Sequence, residues 1–317
     1  MKMLSSARQN LIKYKTMQKK IGYYPGCSLE GSAREYNESV QTLAKAFDVT
    51  LEQVPDWNCC GATAAHNLNK VLSFALPARI LANAEKAGME NILVPCAACY
   101  NRLSMVQHEL GKNESLRNEV NAIIEADLKC NLKILNIIQF IQMFISDFVG
   151  DKQQLLFNKK VACYYGCLLV RPNDVLGFDR AEDPQMMDEV MKSLGADTID
   201  WPFKTECCGA GLSVSRTDIV GNLSGRIVKE AADRGAEAII VACPMCHSNL
   251  DMRRPAIEKA IGEKIDIPVI YISQAIDMAL GKTQKETGIN RHFVPVNIEL
   301  KKKEAEPQVV IEKTEEK

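Results

Sequence analysis

The sequence predicts an α/β protein of two pseudo-symmetric halves, each with a parallel sheet of about four strands flanked by helices. Three observations carry this expectation. Short apolar runs of strand length alternate with amphipathic helical stretches along the chain. GYYPGC, ending at Cys27, matches CYYGC, ending at Cys167. ILANAEKAGMENILVPCAACYNRL aligns with IVKEAADRGAEAIIVACPMCHSNL without a gap.

In the first half, an apolar run ends in Cys27 and a helix follows from about Ser32 to Phe47. The extended run VTLEQVPDW leads into Cys59 and Cys60, a helix runs through LNKVLSFALPARILANAEKAG, and the buried-type strand NILVP enters Cys96. A Cys-flanked helix, the strand LKILN and the helix IIQFIQMFISDFV complete the half. The second half reads KVACYY, a helix near PQMMDEVMKSLGA, DTIDWPF, a helix through VGNLSGRIVKEAADRGA, EAIIVA, a helix after Cys246, IPVIYIS and QAIDMALG. Gly88 and Gly235 stand where helices should stop before the next strand.

With 317 residues the chain can bury two cores. The divisions expected are a basic N-terminal arm, 1–20; a first domain, 21–152; a second, 153–290; and a charged tail, 291–317, with the join near 150–158. A net charge of −1 implies neither nucleic acid nor an anionic membrane as partner. The first 20 residues lack the apolar core of a secretory peptide. The richest apolar stretch is broken by Asn136, Gln139 and Gln142, so no membrane span is expected and the location expected is cytoplasmic.

Twelve cysteines in such a chain point to metal ligation or redox chemistry rather than to a disulfide framework. Ten fall in the repeat: Cys27, Cys59, Cys60, Cys96 and Cys99, then Cys167, Cys207, Cys208, Cys243 and Cys246. The adjacent pairs do not suit a disulfide, since neighbouring α-carbons lie about 3.8 Å apart and bridges want roughly 4.4–6.8 Å. All ten lie at or just past the carboxyl end of one of the first three predicted strands of a half, the edge where open α/β sheets bind ligands. The loops CCGATAA and CCGAGLS let backbone N–H groups approach a bound anion.

A tetrahedral zinc uses four ligands, leaving one thiol of each five spare; iron with sulfide suits thiolate-rich sites as well. The order C, CC, CxxC, with 31 or 39 and then 35 or 34 intervening residues, is more specific than a lone CxxC. On these motifs, over about residues 21–280, the chain resembles the B-type subunit family of heterodisulfide reductase, built from two CCG domains.

The resemblance implies a catalytic subunit with two non-cubane 4Fe-4S clusters, each held by one of the two sets of five cysteines. It implies an oxidoreductase acting on a sulfur group, splitting the coenzyme M–coenzyme B disulfide into two thiols, each cluster supplying one electron. The implied partners are the ferredoxin-like and the flavin-containing subunits of heterodisulfide reductase, and methanogenesis is the implied setting. The alternative is an electron-transfer or reductase subunit of a related flavin-linked complex with another substrate.

Other residues have plainer readings. Cys163 matches Tyr23 and reads as a buried strand residue, and Cys130 as a core filler. His247 follows a ligand candidate but matches Tyr100, which favours packing or hydrogen bonding; His66, His108 and His292 offer no cluster. Arg34, Lys70, Arg171 and Arg216 follow the cysteine-bearing strands and could meet anionic substrate groups, though each also suits a solvated helix. Trp57 and Trp201 could shield the site or simply pack.

Overall fold

The computed structural model describes residues 20–62 and 65–303. The first half forms strands β1 (Lys20–Tyr23), β2 (Thr50–Gln53), β3 (Asn91–Leu93) and β4 (Lys133–Leu135), all parallel in the order β2-β1-β3-β4. After a short β5 (Leu155–Leu156), the second half builds β6 (Lys160–Tyr164), β7 (Asp197–Thr198), β8 (Ala238–Val241) and β9 (Val269–Tyr271), parallel in the order β7-β6-β8-β9. The two sheets are topological copies, as the repeat requires.

Helices connect the strands: Arg34–Ala46, Lys70–Lys86, Ala97–Lys112 and Ile137–Asp147 in the first half, Met186–Ser193, Thr217–Asp233, Pro244–Asp251 and Ile272–Ala279 in the second. The central strands are buried beyond their first residues, and Ala238–Val241 is apolar and buried along its whole length, because helices cover both faces of a parallel sheet. Local chemistry sets the helix ends. The Asn136 side chain accepts from the Ile138 and Gln139 amides at 3.0 and 2.9 Å, and the Gln139 side chain accepts from the Asn136 amide at 3.0 Å, closing a capping box. Gly88 and Gly235 end their helices at φ +73° and +74°, where the sequence places them.

Three features differ from the sequence expectation. A further helix follows each Cys-x-x-C helix, Glu114–Ile124 and Arg254–Ile261; the Asn113 side chain caps the first, and Pro255 in the first turn suits the start of the second. The run DTIDWPF pairs only over Asp197–Thr198, an edge position. Pro202 has no amide to offer, and the Trp201 indole donates instead to the Cys163 carbonyl at 3.1 Å. Of the charged tail, Lys301–Lys302 form β10, antiparallel to β5, with Val294 and Val296 buried on the way. Residues 304–317, and the arm up to residue 19, lie outside the described residues.

The halves meet along the helices Arg34–Ala46 and Ile272–Ala279. Tyr36 stacks on Tyr271, ring centroids 4.0 Å apart and 4° from parallel. Ser39 hydrogen-bonds Ser273, and Arg291 Nη1 donates to Glu38 Oε1 at 3.1 Å. Asn101 Nδ2 reaches into the other half, donating to the carbonyls of Leu168 (3.1 Å) and Arg171 (2.7 Å).

Candidate metal centre

Each repeat cysteine follows the carboxyl end of a strand. Cys27 lies in the one-turn helix Gly26–Glu30 after β1, Cys59 and Cys60 in the loop after β2, and Cys96 caps the Ala97–Lys112 helix with Cys99 in its first turn. The second half repeats this with Cys167 after β6, Cys207 and Cys208 after β7, and Cys243 capping the Pro244–Asp251 helix that carries Cys246. Helix amino termini are favourable surroundings for thiolate charge.

The sulfurs converge. Cys27 and Cys59 Sγ are 3.8 Å apart and Cys60 and Cys99 Sγ 3.2 Å apart; Cys59 also hydrogen-bonds Cys60, and Cys96 hydrogen-bonds Cys99. In the second half Cys208 and Cys246 Sγ lie 3.5 Å apart, Cys167 hydrogen-bonds Cys207, and Cys243 hydrogen-bonds Cys246. The two groups are brought together from behind, because the Tyr36 hydroxyl reaches both the Pro95 carbonyl (3.3 Å) and the Ala242 carbonyl (3.5 Å), and these residues precede Cys96 and Cys243. Among the described residues no three His, Cys, Asp or Glu side chains are placed to hold one ion between them; the five thiols of each half form a row along the strand ends of its sheet.

Crowding splits the acidities. Cys60 is held down to about 4, chiefly by hydrogen bonds from Cys59 and Cys99, while Cys59 is pushed up by the same contact and by burial. Cys207 falls to about 6, mainly through the Cys167 hydrogen bond, and Cys167 rises. Ionising all ten thiols so close together would require cationic charge to compensate them.

The loops are built around sulfur. The amides of Gly61 and Gly209 donate to Cys59 and Cys207 Sγ at 3.4 and 3.3 Å. A Cβ at Gly26 (φ +65°) would meet Cys99 Sγ at 3.0 Å, and one at Gly166 (φ +70°) would meet Cys246 Sγ at 3.1 Å. The Tyr24 hydroxyl donates to the Asn58 carbonyl at 2.9 Å, and Tyr164 does the same to Glu206 at 2.6 Å, anchoring the residue before each Cys-Cys. Soft thiol donors, amides aimed at sulfur and a side chain excluded beside each Cys-x-x-C suit an iron-sulfur group in both halves.

Other sequence candidates fall elsewhere. Cys163 is fully buried on β6, and Cys130 is half-buried with φ +61°. His247 is buried, stacks on Tyr271 at 4.3 Å and shares its Nε2 with the Val269 carbonyl at 3.2 Å. His292 lies beside it, with Nδ1 3.5 Å from His247 Nε2. The His66 side chain lies outside the described residues. Arg171 and Arg216 face Glu182 (3.2 Å) and Asp218 (2.9 Å), and Arg34 donates to the Glu30 carbonyl at 3.2 Å; Lys70 is exposed. Trp57 packs edge-on against Tyr24 at 5.6 Å, beside the first row.

Two residues at the site were not singled out from sequence. Arg102, three residues beyond Cys99, donates from Nη2 to the Ser73 carbonyl at 2.9 Å. Asn249, its counterpart in the ungapped repeat, donates to the Cys208 carbonyl at 2.9 Å and lies 3.7 Å from Cys208 Sγ. Comparing the halves position by position would have found both.

A duplicated parallel α/β fold with two thiol rows defines a cysteine-rich, two-domain protein with the donor set of an iron-sulfur carrier. The chain belongs to the CCG family of cysteine-rich domains, whose sequence model matches residues 21–104 and 161–251. It is 26% identical, over 88% of its length and 98% of the relative's, to the 8-methylmenaquinol:fumarate reductase membrane anchor subunit of Wolinella succinogenes. It is 27% identical, over 89% of its length and 95% of the relative's, to the B-type subunit of the ferredoxin/F(420)H(2)-dependent CoB-CoM heterodisulfide reductase of Methanosarcina acetivorans. A hypothetical protein from Helicobacter pylori shares the fold, with a TM-score of 0.71 at 12% identity over 88% of this chain; the chain spans about half that protein, 52%.

These findings make the chain a CCG-type redox subunit and point to iron-sulfur binding. The relatives are named as subunits of reductases, which implies partner chains. No helix among the described residues is long and apolar enough to cross a membrane.

Proposed function

We propose that the chain is the catalytic subunit of a heterodisulfide reductase, with Cys27, Cys59, Cys60, Cys96 and Cys99 holding one non-cubane 4Fe-4S cluster and Cys167, Cys207, Cys208, Cys243 and Cys246 a second. The observation that carries this reading is that the Tyr36 hydroxyl reaches the carbonyls just before Cys96 and Cys243, at 3.3 and 3.5 Å, which brings two separately built thiol rows to one place. When bound, the clusters supply two electrons, one to each sulfur of a disulfide, whose two thiolates then take up two protons.

The chain's own residues prepare that place. Gly26 and Gly166 leave room beside Cys99 and Cys246, and the Gly61 and Gly209 amides steady anionic sulfur. The proposed substrate is the coenzyme M–coenzyme B disulfide. Its sulfonate and phosphate need cations, and with Arg171 and Arg216 facing Glu182 and Asp218, Arg34 and Lys70 are better placed to answer them. The proposed partners are the ferredoxin-like and the flavin-containing subunits of such a reductase, in the cytoplasm.

A second reading is a relay subunit for another acceptor. It is favoured by the fumarate reductase relative and by those ion pairs, which weaken the case for a doubly anionic substrate. Anaerobic purification with iron, zinc and acid-labile sulfide analysis tests the clusters: zinc without sulfide ends both readings. Adding the coenzyme M–coenzyme B disulfide to the reduced protein separates them, since a reductase releases both thiols and a relay leaves the disulfide intact while still reducing dyes.

A further inference from the structure

Two of the charge differences between the halves adjoin the Cys-Cys and Cys-x-x-C motifs directly. The first is at the residue six positions after the cysteine that caps each Cys-x-x-C helix, Arg102 in one half and Asn249 in the other. Asn249 sets its amide nitrogen 3.7 Å from Cys208 Sγ. Arg102 is half-buried, anchored by one hydrogen bond from Nη2 to the Ser73 carbonyl at 2.9 Å, and its Nε is buried without a hydrogen-bond partner. Arg102 follows Cys99 by three residues in the Ala97–Lys112 helix, so the two share one face about a turn apart. One half thus offers a cation where the other offers a neutral dipole.

The second difference precedes the Cys-Cys pairs. Asn58 and Glu206 occupy equivalent positions, each with its carbonyl accepting from a matched tyrosine, Tyr24 or Tyr164. Glu206 places an exposed carboxylate next to Cys207, whereas Asn58 is neutral. The nearby buried cation of the second half, Lys204, does not offset this, since Asp183 (3.1 Å) and Asp188 (3.5 Å) face it. Both differences make the surroundings of the first row more positive than those of the second.

Positive charge stabilises the more negative, reduced state of a thiolate-held cluster, and net charge is among the determinants of such potentials. Resting on the two-cluster reading above, we propose that Arg102 is a positioning residue for electrons: it makes the Cys27–Cys99 site the more oxidising of the two. From a one-electron donor such as dithionite, the first electron then rests on the first site, and the second site is reduced last.

The test is an anaerobic potentiometric titration of the full chain, followed by electron paramagnetic resonance, with Cys207→Ala used to assign the signal of the first site. Iron and acid-labile sulfide are measured on every sample. The wild type is expected to show the first site reduced at the higher potential. Arg102→Gln should lower that potential by about 59 mV or more, a tenfold fall in the reduced-to-oxidised ratio at fixed potential, with the second site unmoved and Arg102→Lys close to wild type.

Clusters present with both potentials unmoved in Arg102→Gln, or a wild type whose second site is reduced first, would overturn the inference and leave the cluster reading standing. Loss of the first cluster in Arg102→Gln but not in Arg102→Lys would also overturn it, by making the residue one of assembly. A wild type without iron and sulfide would bring down the cluster reading itself.

Discussion

The Tyr36 ring lies flat on that of Tyr271, centroids 4.0 Å apart, and its hydroxyl donates toward the carbonyls of Pro95 at 3.3 Å and Ala242 at 3.5 Å. Those two carbonyls immediately precede Cys96 and Cys243. One buried tyrosine from the first half therefore ties together the chain segments that deliver the innermost sulfur of each row, and its stacking partner comes from the second half.

Tyr36→Ala should lower unfolding stability by about 3–5 kcal/mol, the usual cost of deleting a buried aromatic ring. Tyr36→Phe keeps the stack and loses only the hydroxyl, so it should cost about 0.5–1.5 kcal/mol. Denaturant unfolding of both variants measures the difference. Equal losses would mean that the stack contributes little.

Cys207→Ala should remove iron and sulfide from the second row while the first keeps its own, so the content per chain should fall by about half. Cys163→Ala, on the fully buried strand β6, should leave the iron content unchanged and cost on the order of 1 kcal/mol in stability. Iron loss in the Cys163 variant would contradict its place in the core.

Gly166→Ala forces a side chain into a left-handed backbone position, with its Cβ 3.1 Å from Cys246 Sγ. The backbone strain alone costs on the order of 1 kcal/mol. Chemical analysis should show iron lost from the second site, and Gly26→Ala should do the same to the first. Normal iron content in both would show that the glycines serve only the turn.

The carboxyl of Asp277 is buried without a full set of hydrogen-bond partners. Burial pushes its pKa well above the usual range; Ser39 and Lys282 offset this in part, and Glu286 adds to it. The folded state therefore holds a proton that the unfolded chain releases near pH 4. Stability from the protonated form is complete below that pH and is lost as the pH climbs toward the raised folded value. Asp277→Asn should be near neutral at pH 4 and stabilising at pH 7, by denaturant unfolding at the two pH values. A variant equally stable or less stable than wild type at pH 7 would sink this account.

Lys204 is a buried cation whose structural role is not legible in the sequence, because its partners Asp183 and Asp188 lie on a different segment. Lys204→Met should cost about 3–5 kcal/mol, since it leaves Asp188 buried without its cation. The thermal midpoint of the variant would report the loss.

The cysteine scaffold was legible for the opposite reason. Its signal is local, occurs twice in the same order, and lies at strand ends that apolar periodicity locates. What escaped was contact between distant segments, such as Tyr36 with the carbonyls of Pro95 and Ala242 and His292 with His247, and pairing decided by sheet edges, as in the two-residue β7. Arg102 escaped because attention to what the halves share hides what they do not.

The repeat also gives the chain a freedom that a pair of identical subunits would lack. In a homodimer closed about a twofold axis, every residue appears on both sides, so an arginine beside one centre would stand beside the other as well. Joining both copies in one polypeptide removes that constraint. Arg102 can stand where the other half has Asn249, and Asn58 where it has Glu206, and selection can set each centre separately without disturbing the tyrosine clasp that both depend on.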